Sequence, residues 1–257
     1  MDTRAALPLT LARRRRTPHT RTPRGTPVTT HHHTHIALTL GLAAAAGCSV
    51  IIQSNPGQTI DQARAAAEEQ TSVRLCAALE TPNIGFEDPT LPPQMTFNSY
   101  QSITGWRSPR GEPLVGRGNV DLPLVPDNAA YGAQHGLLKP RTTSGASEQP
   151  NTAYEYDLHV TPGQRYALVF STASAAAGTD LTLTLSDTDV APFTFAVRTS
   201  WYQRVVPFTP TGDTVTVRFQ TSGRSDVGSF TLGRGEVDVY LDVAGVFAAC
   251  ASEAVPE

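Results

Sequence analysis

The stretch Tyr154-Glu155-Tyr156-Asp157-Leu158-His159-Val160-Thr161-Pro162-Gly163-Gln164-Arg165-Tyr166-Ala167-Leu168-Val169-Phe170 decides the fold class. Before the turn, Tyr154, Tyr156, Leu158 and Val160 alternate with Glu155, Asp157 and His159. After it, Tyr166, Leu168 and Phe170 keep the same period of two. Successive strand side chains point to opposite faces, so this pattern describes a β-hairpin with one buried face, joined at Pro162-Gly163. Working outward, period-two runs recur at Leu181/Leu183/Leu185, Phe193/Phe195/Val197, Val215/Val217/Phe219 and Val237/Val239/Leu241/Val243. Turn-forming clusters such as Pro210-Thr211-Gly212-Asp213 and Gly223-Arg224-Ser225-Asp226 separate them. Many short strands with no helical period between them predict an all-β chain, an antiparallel two-sheet β-sandwich of the jelly-roll kind. Residues 107–150 are rich in Gly and Pro and read as loops and short edge strands, where a binding surface is accommodated most easily.

The N-terminal region reads differently. Residues 1–35 are rich in Arg, Thr, Pro and His, and Ile36 to Ala46 then runs without a charge. That run is shorter than the roughly 20 apolar residues a membrane-spanning helix needs, and it fits the apolar region of a signal peptide. It ends at Ala45-Ala46-Gly47-Cys48-Ser49, which resembles the lipobox of bacterial lipoproteins, with Ala45 where the family prefers Leu. The resemblance implies that residues 1–47 are a leader, that Cys48 is lipidated, and that the chain is exported as a membrane-anchored lipoprotein of the cell envelope. The residues leave open an ordinary secretory signal with Cys48 as a free thiol. Translation from Val28 would leave a leader of ordinary signal length. Arg13 to Arg16 lack the apolar residues that follow a twin-arginine pair, and five of the seven His lie in this leader. Histidine-based metal chemistry is therefore not expected of the mature chain.

With Cys48 assigned to lipid, Cys76 and Cys250 remain, in an oxidising compartment. They bracket the sandwich, and first and last strands that are neighbours would bring them together as a disulfide. Closing so long a loop contributes at most about 5 kcal/mol in the chain-entropy account. Residues 48–75 are read as a tether. Within it, Ile60 to Gln70 is Ala- and Glu-rich without Gly or Pro and predicts a short helix with an Ala face. The sandwich domain is then 76–250, and 251–257 a C-terminal tail.

Charge narrows the function classes. The net charge of −3 conceals seven Arg in residues 1–47, leaving 13 basic and 22 acidic residues, a net −9, on 48–257. Such a chain is not expected to bind nucleic acid, whose phosphates are neutralised by Lys and Arg. Lys139 is the one lysine, so Schiff-base chemistry has a single candidate in a loop.

The order of several motifs resembles galactose-binding-like jelly rolls, especially the DUF642 and choice-of-anchor domains of secreted proteins, which are related to carbohydrate-binding modules. Asn83-Ile84-Gly85-Phe86-Glu87-Asp88-Pro89 is similar to their Asn-Gly-x-Phe-Glu opening, Ile103-Thr104-Gly105-Trp106 to Ile-Pro-Gly-Trp, Gly132-Ala133-Gln134 to Gly-x-Gln, and Pro162 to Phe170 to Pro-Gly-x-x-Tyr-x-Leu-x-Phe. Trp201, Phe208-Thr209 and Leu241-Asp242-Val243 complete the order across residues 80–247. Ile84 stands where a Gly is usual and Thr104 where a Pro is usual. The resemblance implies a structural calcium, with Glu87 and Asp242 at the positions of its acidic ligands. Hard oxygen donors suit Ca²⁺, which takes six to eight of them.

Sugar recognition uses an aromatic ring against the apolar face of a pyranose and polar side chains on its hydroxyls. Tyr100, Tyr131, Trp201 and Tyr202 are the candidates, with Trp106 as a further ring that is expected in the core along with Trp201. Catalytic motifs are absent: there is no Gly-x-Ser-x-Gly, His-Glu-x-x-His or Cys-x-x-Cys. His159 lies on the polar side of its strand and reads as solvated. The expected function is a non-catalytic module for extracellular or cell-wall glycan. The alternative is a structural or adhesive envelope protein with a protein partner.

Overall fold

The computed structural model describes residues 50–53, 57–91, 97–99, 103–110, 114–116, 129–139, 151–174, 179–221 and 239–250. In chain order the elements are β1 (Val50–Gln53), α1 (Ile60–Thr71), β2 (Leu75–Ala78), β3 (Phe97–Ser99), β4 (Trp106–Arg110), β5 (Leu114–Gly116) and β6 (His135–Leu138). There follow β7 (Ala153–His159), β8 (Tyr166–Ser174), β9 (Asp180–Leu185), β10 (Phe193–Ala196), β11 (Tyr202–Phe208), β12 (Thr214–Thr221) and β13 (Val239–Ala249). Among the described residues these strands form two sheets with antiparallel ladders throughout. The larger runs β1-β11-β8-β13-β6-β5-β3, with β2 also on β13, and the smaller runs β10-β9-β12-β7-β4. This is the antiparallel two-sheet sandwich that the alternation predicts, but the strands on either side of Pro162-Gly163 are not a hairpin. β7 pairs with β12 and β4 in the smaller sheet and β8 with β11 and β13 in the larger, so the turn carries the chain from one sheet to the other and the two apolar faces meet across the core. Among the same residues no helix is long and apolar enough to cross a membrane.

The core between the sheets is built from the alternating residues. Leu168, Phe170, Val206, Phe208, Leu241 and Val243 face inward from the larger sheet, and Tyr154, Leu158, Leu183, Val215, Val217 and Phe219 from the smaller. Trp106 joins them at 6% exposure, stacked on Phe86 at 4.5 Å between ring centroids, and its indole N–H donates to the Asn83 carbonyl.

The larger sheet is buried on its other face as well. There Ala167, Val169, Ala173, Val205, Tyr240, Ala244 and Phe247 pack beneath Ala63 and Ala67 of α1. Strand β8 is consequently buried along its whole length. Helix α1 starts at a capping box in which the Thr59 hydroxyl accepts from the Gln62 N–H and the Gln62 side chain accepts from the Thr59 N–H. It ends at Ser72 in the left-handed region, φ 53°. Its small side chains meet small side chains on the sheet, which lets the helix lie close.

These contacts correct the expected domain boundary. The helix over residues 60–71 is where propensity places it, but of the expected tether over 48–75 the described residues, 50–53 and 57–75, are part of the folded sandwich. β1 extends the larger sheet with register Val50↔Val205 to Gln53↔Tyr202, and α1 covers that sheet's outer face. An Ala stripe carries little hydrophobic signal on its own, yet it is the shape that fits a closely approached sheet.

Cys76 on β2 and Cys250 just past β13 are joined as a disulfide, with Cα atoms 5.0 Å apart. The pairing of β2 with β13 supplies the adjacency, tightened by the Cys250 N–H donating to the Arg74 carbonyl at 2.8 Å. Cys48 and the C-terminal tail lie outside the described residues.

Candidate functional site

The segment following β2, Asn83 to Leu91, folds back over the end of the sandwich and is clasped by Gly132-Ala133-Gln134. The Ala133 and Gln134 N–H groups donate to Glu87 Oε1 at 2.8 and 3.0 Å. The buried Gln134 side chain donates to the Phe86 and Pro89 carbonyls at 2.8 and 3.1 Å and accepts from the Leu91 N–H. Gly132 sits at φ +66°, and a Cβ there would lie 2.2 Å from Glu87 Oε1, so the close approach of this turn requires glycine. Two of the motifs behind the family resemblance are thus one hydrogen-bonded unit.

Asp242, on β13, lies beneath this unit and is fully buried. Its Oδ2 accepts from the Tyr131 N–H at 2.7 Å, while Oδ1 accepts no hydrogen bond among the described residues. Burial above all, and then the negative charge of Glu87, raises its pKa well above the usual carboxylate range, against the Tyr131, Val243 and Ala130 amides, which favour the ionised form. A buried carboxylate with an orphaned oxygen, lying in the field of the Glu87 carboxylate, fits a hard divalent cation. Among the described residues no third His, Cys, Asp or Glu joins them, so the other ligands would be carbonyl oxygens and water.

The aromatic candidates disperse. Tyr131 and Trp201 are 3% and 2% exposed and belong to the core under α1, so neither presents a ring face to a sugar. The Tyr131 hydroxyl instead bonds Ser171 Oγ at 2.8 Å and donates to Gln203 Oε1 at 3.1 Å, and Gln203 Nε2 donates to the Ala63 carbonyl of α1 at 3.3 Å. Both rings pack where they do because the outer face of the larger sheet is covered, which strand alternation alone does not reveal. Tyr202 is half-buried with the Arg198 guanidinium 4.5 Å over its ring, so one face is already occupied. Tyr100 lies outside the described residues.

Among the described residues the outer face of the smaller sheet is the open one. Its outward positions are Arg107 on β4, Glu155, Asp157 and His159 on β7, Thr214, Thr216, Arg218 and Gln220 on β12, Thr182 and Thr184 on β9, and Thr194 on β10. All are half-buried or exposed. Register places Thr184, Arg218, Glu155 and Arg107 in one row across four strands. Arg218 donates to Glu155 Oε1 at 3.0 Å and to Gln220 Oε1 at 2.9 Å. Arg107 donates to both Asp157 oxygens and lies 3.6 Å from Glu155, and Thr216 donates to Asp157 Oδ1 at 2.7 Å. The Arg107 hydrogen bonds lower the Asp157 pKa, and the same bonds raise that of Arg107. The result is a linked raft of donors and acceptors on β4, β7 and β12, within a polar face that extends over five strands about 4.8 Å apart, about 20 Å in all. Sequence reading placed Glu155, Asp157 and His159 on the polar side of one strand, but only the register joins them to Arg107, Thr216 and Arg218.

The molecule is therefore an antiparallel β-sandwich with one sheet capped by a helix and the other presenting an open polar face. No family model matches the chain, and a search of curated proteins finds no relative. Among solved structures it is similar to TmCBM61 in complex with β-1,4-galactotriose, with 13% identity, TM-score 0.41, and 68% of this chain and 100% of that one covered. It is also similar to the N-terminal cellulose-binding domain of Cellulomonas fimi β-1,4-glucanase C, with 11% identity, TM-score 0.34, and 63% and 100% covered. A third is the Clostridium thermocellum xylanase 10B with its CBM22-1 and GH10 modules, complexed with xylohexaose, with 13% identity, TM-score 0.34, and 57% of this chain but 26% of that one covered.

Proposed function

We propose that the chain is exported, anchored through lipidated Cys48, and that its sandwich is a non-catalytic module binding extracellular or cell-wall glycan on the outer face of the smaller sheet. The observation that carries this reading is the contrast between the two outer faces. One is apolar and sealed by α1, while the other is open among the described residues and lined across five strands by polar side chains, those of β4, β7 and β12 being joined in one hydrogen-bonded network. A glycan offers many hydroxyls, each donor and acceptor, and such a raft meets them with guanidinium, carboxylate, amide and hydroxyl groups already oriented. Among the described residues this face presents no aromatic platform, so recognition is by hydrogen bonds and bridging water.

Ca²⁺ held by Glu87 and Asp242 would neutralise the buried carboxylate and fix the Asn83 to Leu91 segment to β13. It has no chemical step to perform in this function.

A glycan array followed by calorimetry tests the reading. Saturable binding to a cell-wall or extracellular polysaccharide, weakened at least tenfold by Arg218→Gln and by Asp157→Asn with the thermal midpoint near that of the parent, supports it. Tenfold corresponds to about 1.4 kcal/mol, the size of one charge-assisted hydrogen bond. No hit on any polysaccharide would favour the envelope protein with a protein partner. Replacing Cys48 with Ser is expected to move the protein from the detergent phase to the aqueous phase, and an unchanged partition would remove the anchor.

A further inference from the structure

We infer that the free edge of β1 is seated in the phospholipid headgroup layer, so that the sandwich stands on its membrane by an edge strand. The inference rests on the lipidation of Cys48 proposed above.

One residue, Ser49, separates Cys48 from Val50, where β1 begins. Two residues of extended chain span about 7 Å at most. A headgroup layer is itself about 5–7 Å deep, being half the difference between whole-bilayer and hydrocarbon thickness. A lipid-bearing Cys48 is held at the acyl boundary, which brings the start of β1 into this layer. β1 has little freedom to move away, because it is paired with β11 from Val50↔Val205 to Gln53↔Tyr202 and β11 is paired in turn with β8. It also ends the strand order of its sheet, so among the described residues its other edge is unpaired.

Two further features favour a lipid surface as the occupant. Residues 49–60 contain no charged side chain, whereas the chain from 48 onward carries a net −9. An anionic bilayer repels the bulk of such a domain, and this uncharged stretch approaches it without that cost. Ile51, one of the two large apolar side chains that stand exposed among the described residues, lies on β1 itself at 41% exposure. Edge-strand N–H groups can donate to phosphate oxygens, which satisfies the open edge that would otherwise recruit another strand.

The test uses the full lipidated protein in vesicles of phosphatidylethanolamine and phosphatidylglycerol, with a fraction of the lipid brominated in the upper acyl chain. Trp is introduced as Ile51→Trp, with Gln53→Trp as an independent second probe, and as Arg110→Trp on β4 for comparison. The native Trp106 and Trp201 are buried and give a common background. Loss of emission and a blue shift for the probes at 51 and 53, with none for the probe at 110, support the seat. Vesicle-bound protein whose probes at 51 and 53 are not quenched overturns it while leaving the anchor standing. A blue shift without quenching overturns it in favour of a second chain on the edge, and quenching of all three probes overturns it as well. Protein that mass analysis finds without lipid on Cys48 overturns the seat and the anchor together.

Discussion

His135 and Asp242 are both buried titratable groups close under the clasped end of the larger sheet, and they have opposite consequences. His135 packs edge-on against Trp201 and Tyr240, with ring centroids 5.7 and 5.2 Å away, and its Nδ1 has no hydrogen-bond partner among the described residues. Burial lowers its pKa from 6.5 to about 3. A depressed pKa means the unfolded chain binds the proton first, so this residue destabilises the fold as pH falls from 6.5 towards 3, by roughly 1.4 kcal/mol per pH unit. His135→Gln is expected to flatten the acid limb of a stability profile measured by denaturant titration. Asp242 has the reverse sign. Its folded pKa is raised, so stability is complete below the ordinary carboxylate pKa and declines as pH rises through the folded value. At neutral pH, without a divalent cation, Asp242→Asn should therefore raise the thermal midpoint. Calcium should raise the parent's midpoint by mass action and leave the Asn variant unmoved. A parent midpoint indifferent to both calcium and chelator would remove the metal.

At the scale of elements, α1 matters most, because it seals one face of the sandwich. Thr59→Ala removes the capping hydroxyl and is expected to cost about 1 kcal/mol. Ala67→Leu enlarges a fully buried side chain where the helix lies close to the sheet, and overpacking there should cost about 1–3 kcal/mol. Hydrogen exchange localises the effect: both variants should lose protection across 60–71 and across the outer face of β8 and β11 ahead of β12 and β7. Equal loss everywhere would mean that α1 unfolds with the whole domain. Strand β11 shows why its neighbourhood was hard to read. Gln203, Arg204, Val205 and Val206 are buried in succession, because the helix covers one face and the opposing sheet the other. A strand buried on both sides need not alternate, and none of the period-two runs pointed to this one.

For the whole molecule, the Cys76–Cys250 bridge closes a sequence separation of 174 residues. Non-reducing peptide mapping should recover one linked pair spanning nearly all of the sandwich. Reduction should lower stability by up to about 5 kcal/mol, the chain-entropy ceiling for so long a loop. Two free thiols would refute the bridge. Its existence also depends on topology, since β2 and β13 are neighbours although they lie far apart in the chain.

The sequence by itself determined whatever is local or periodic. Four strands of the smaller sheet (β7, β9, β10 and β12), the turn at Pro162-Gly163, the helix from Ile60 and the placement of Trp106 in the core all follow from alternation, turn chemistry and propensity, which act within a few residues, whereas the hairpin pairing expected across that turn does not form. The two cysteines that bracket the sandwich were legible as partners for a similar reason, because few arrangements of so few cysteines exist. Tertiary structure alone decided what those elements cover. It turned the expected tether into part of the sandwich, took Tyr131 and Trp201 out of any sugar site, and brought Asp242 under Glu87. It also assembled Arg107, Glu155, Asp157 and Arg218 into one raft. The physical reason is that burial and register depend on which surfaces meet, and residues hundreds of ångströms apart in an extended chain meet only once the sheets have closed.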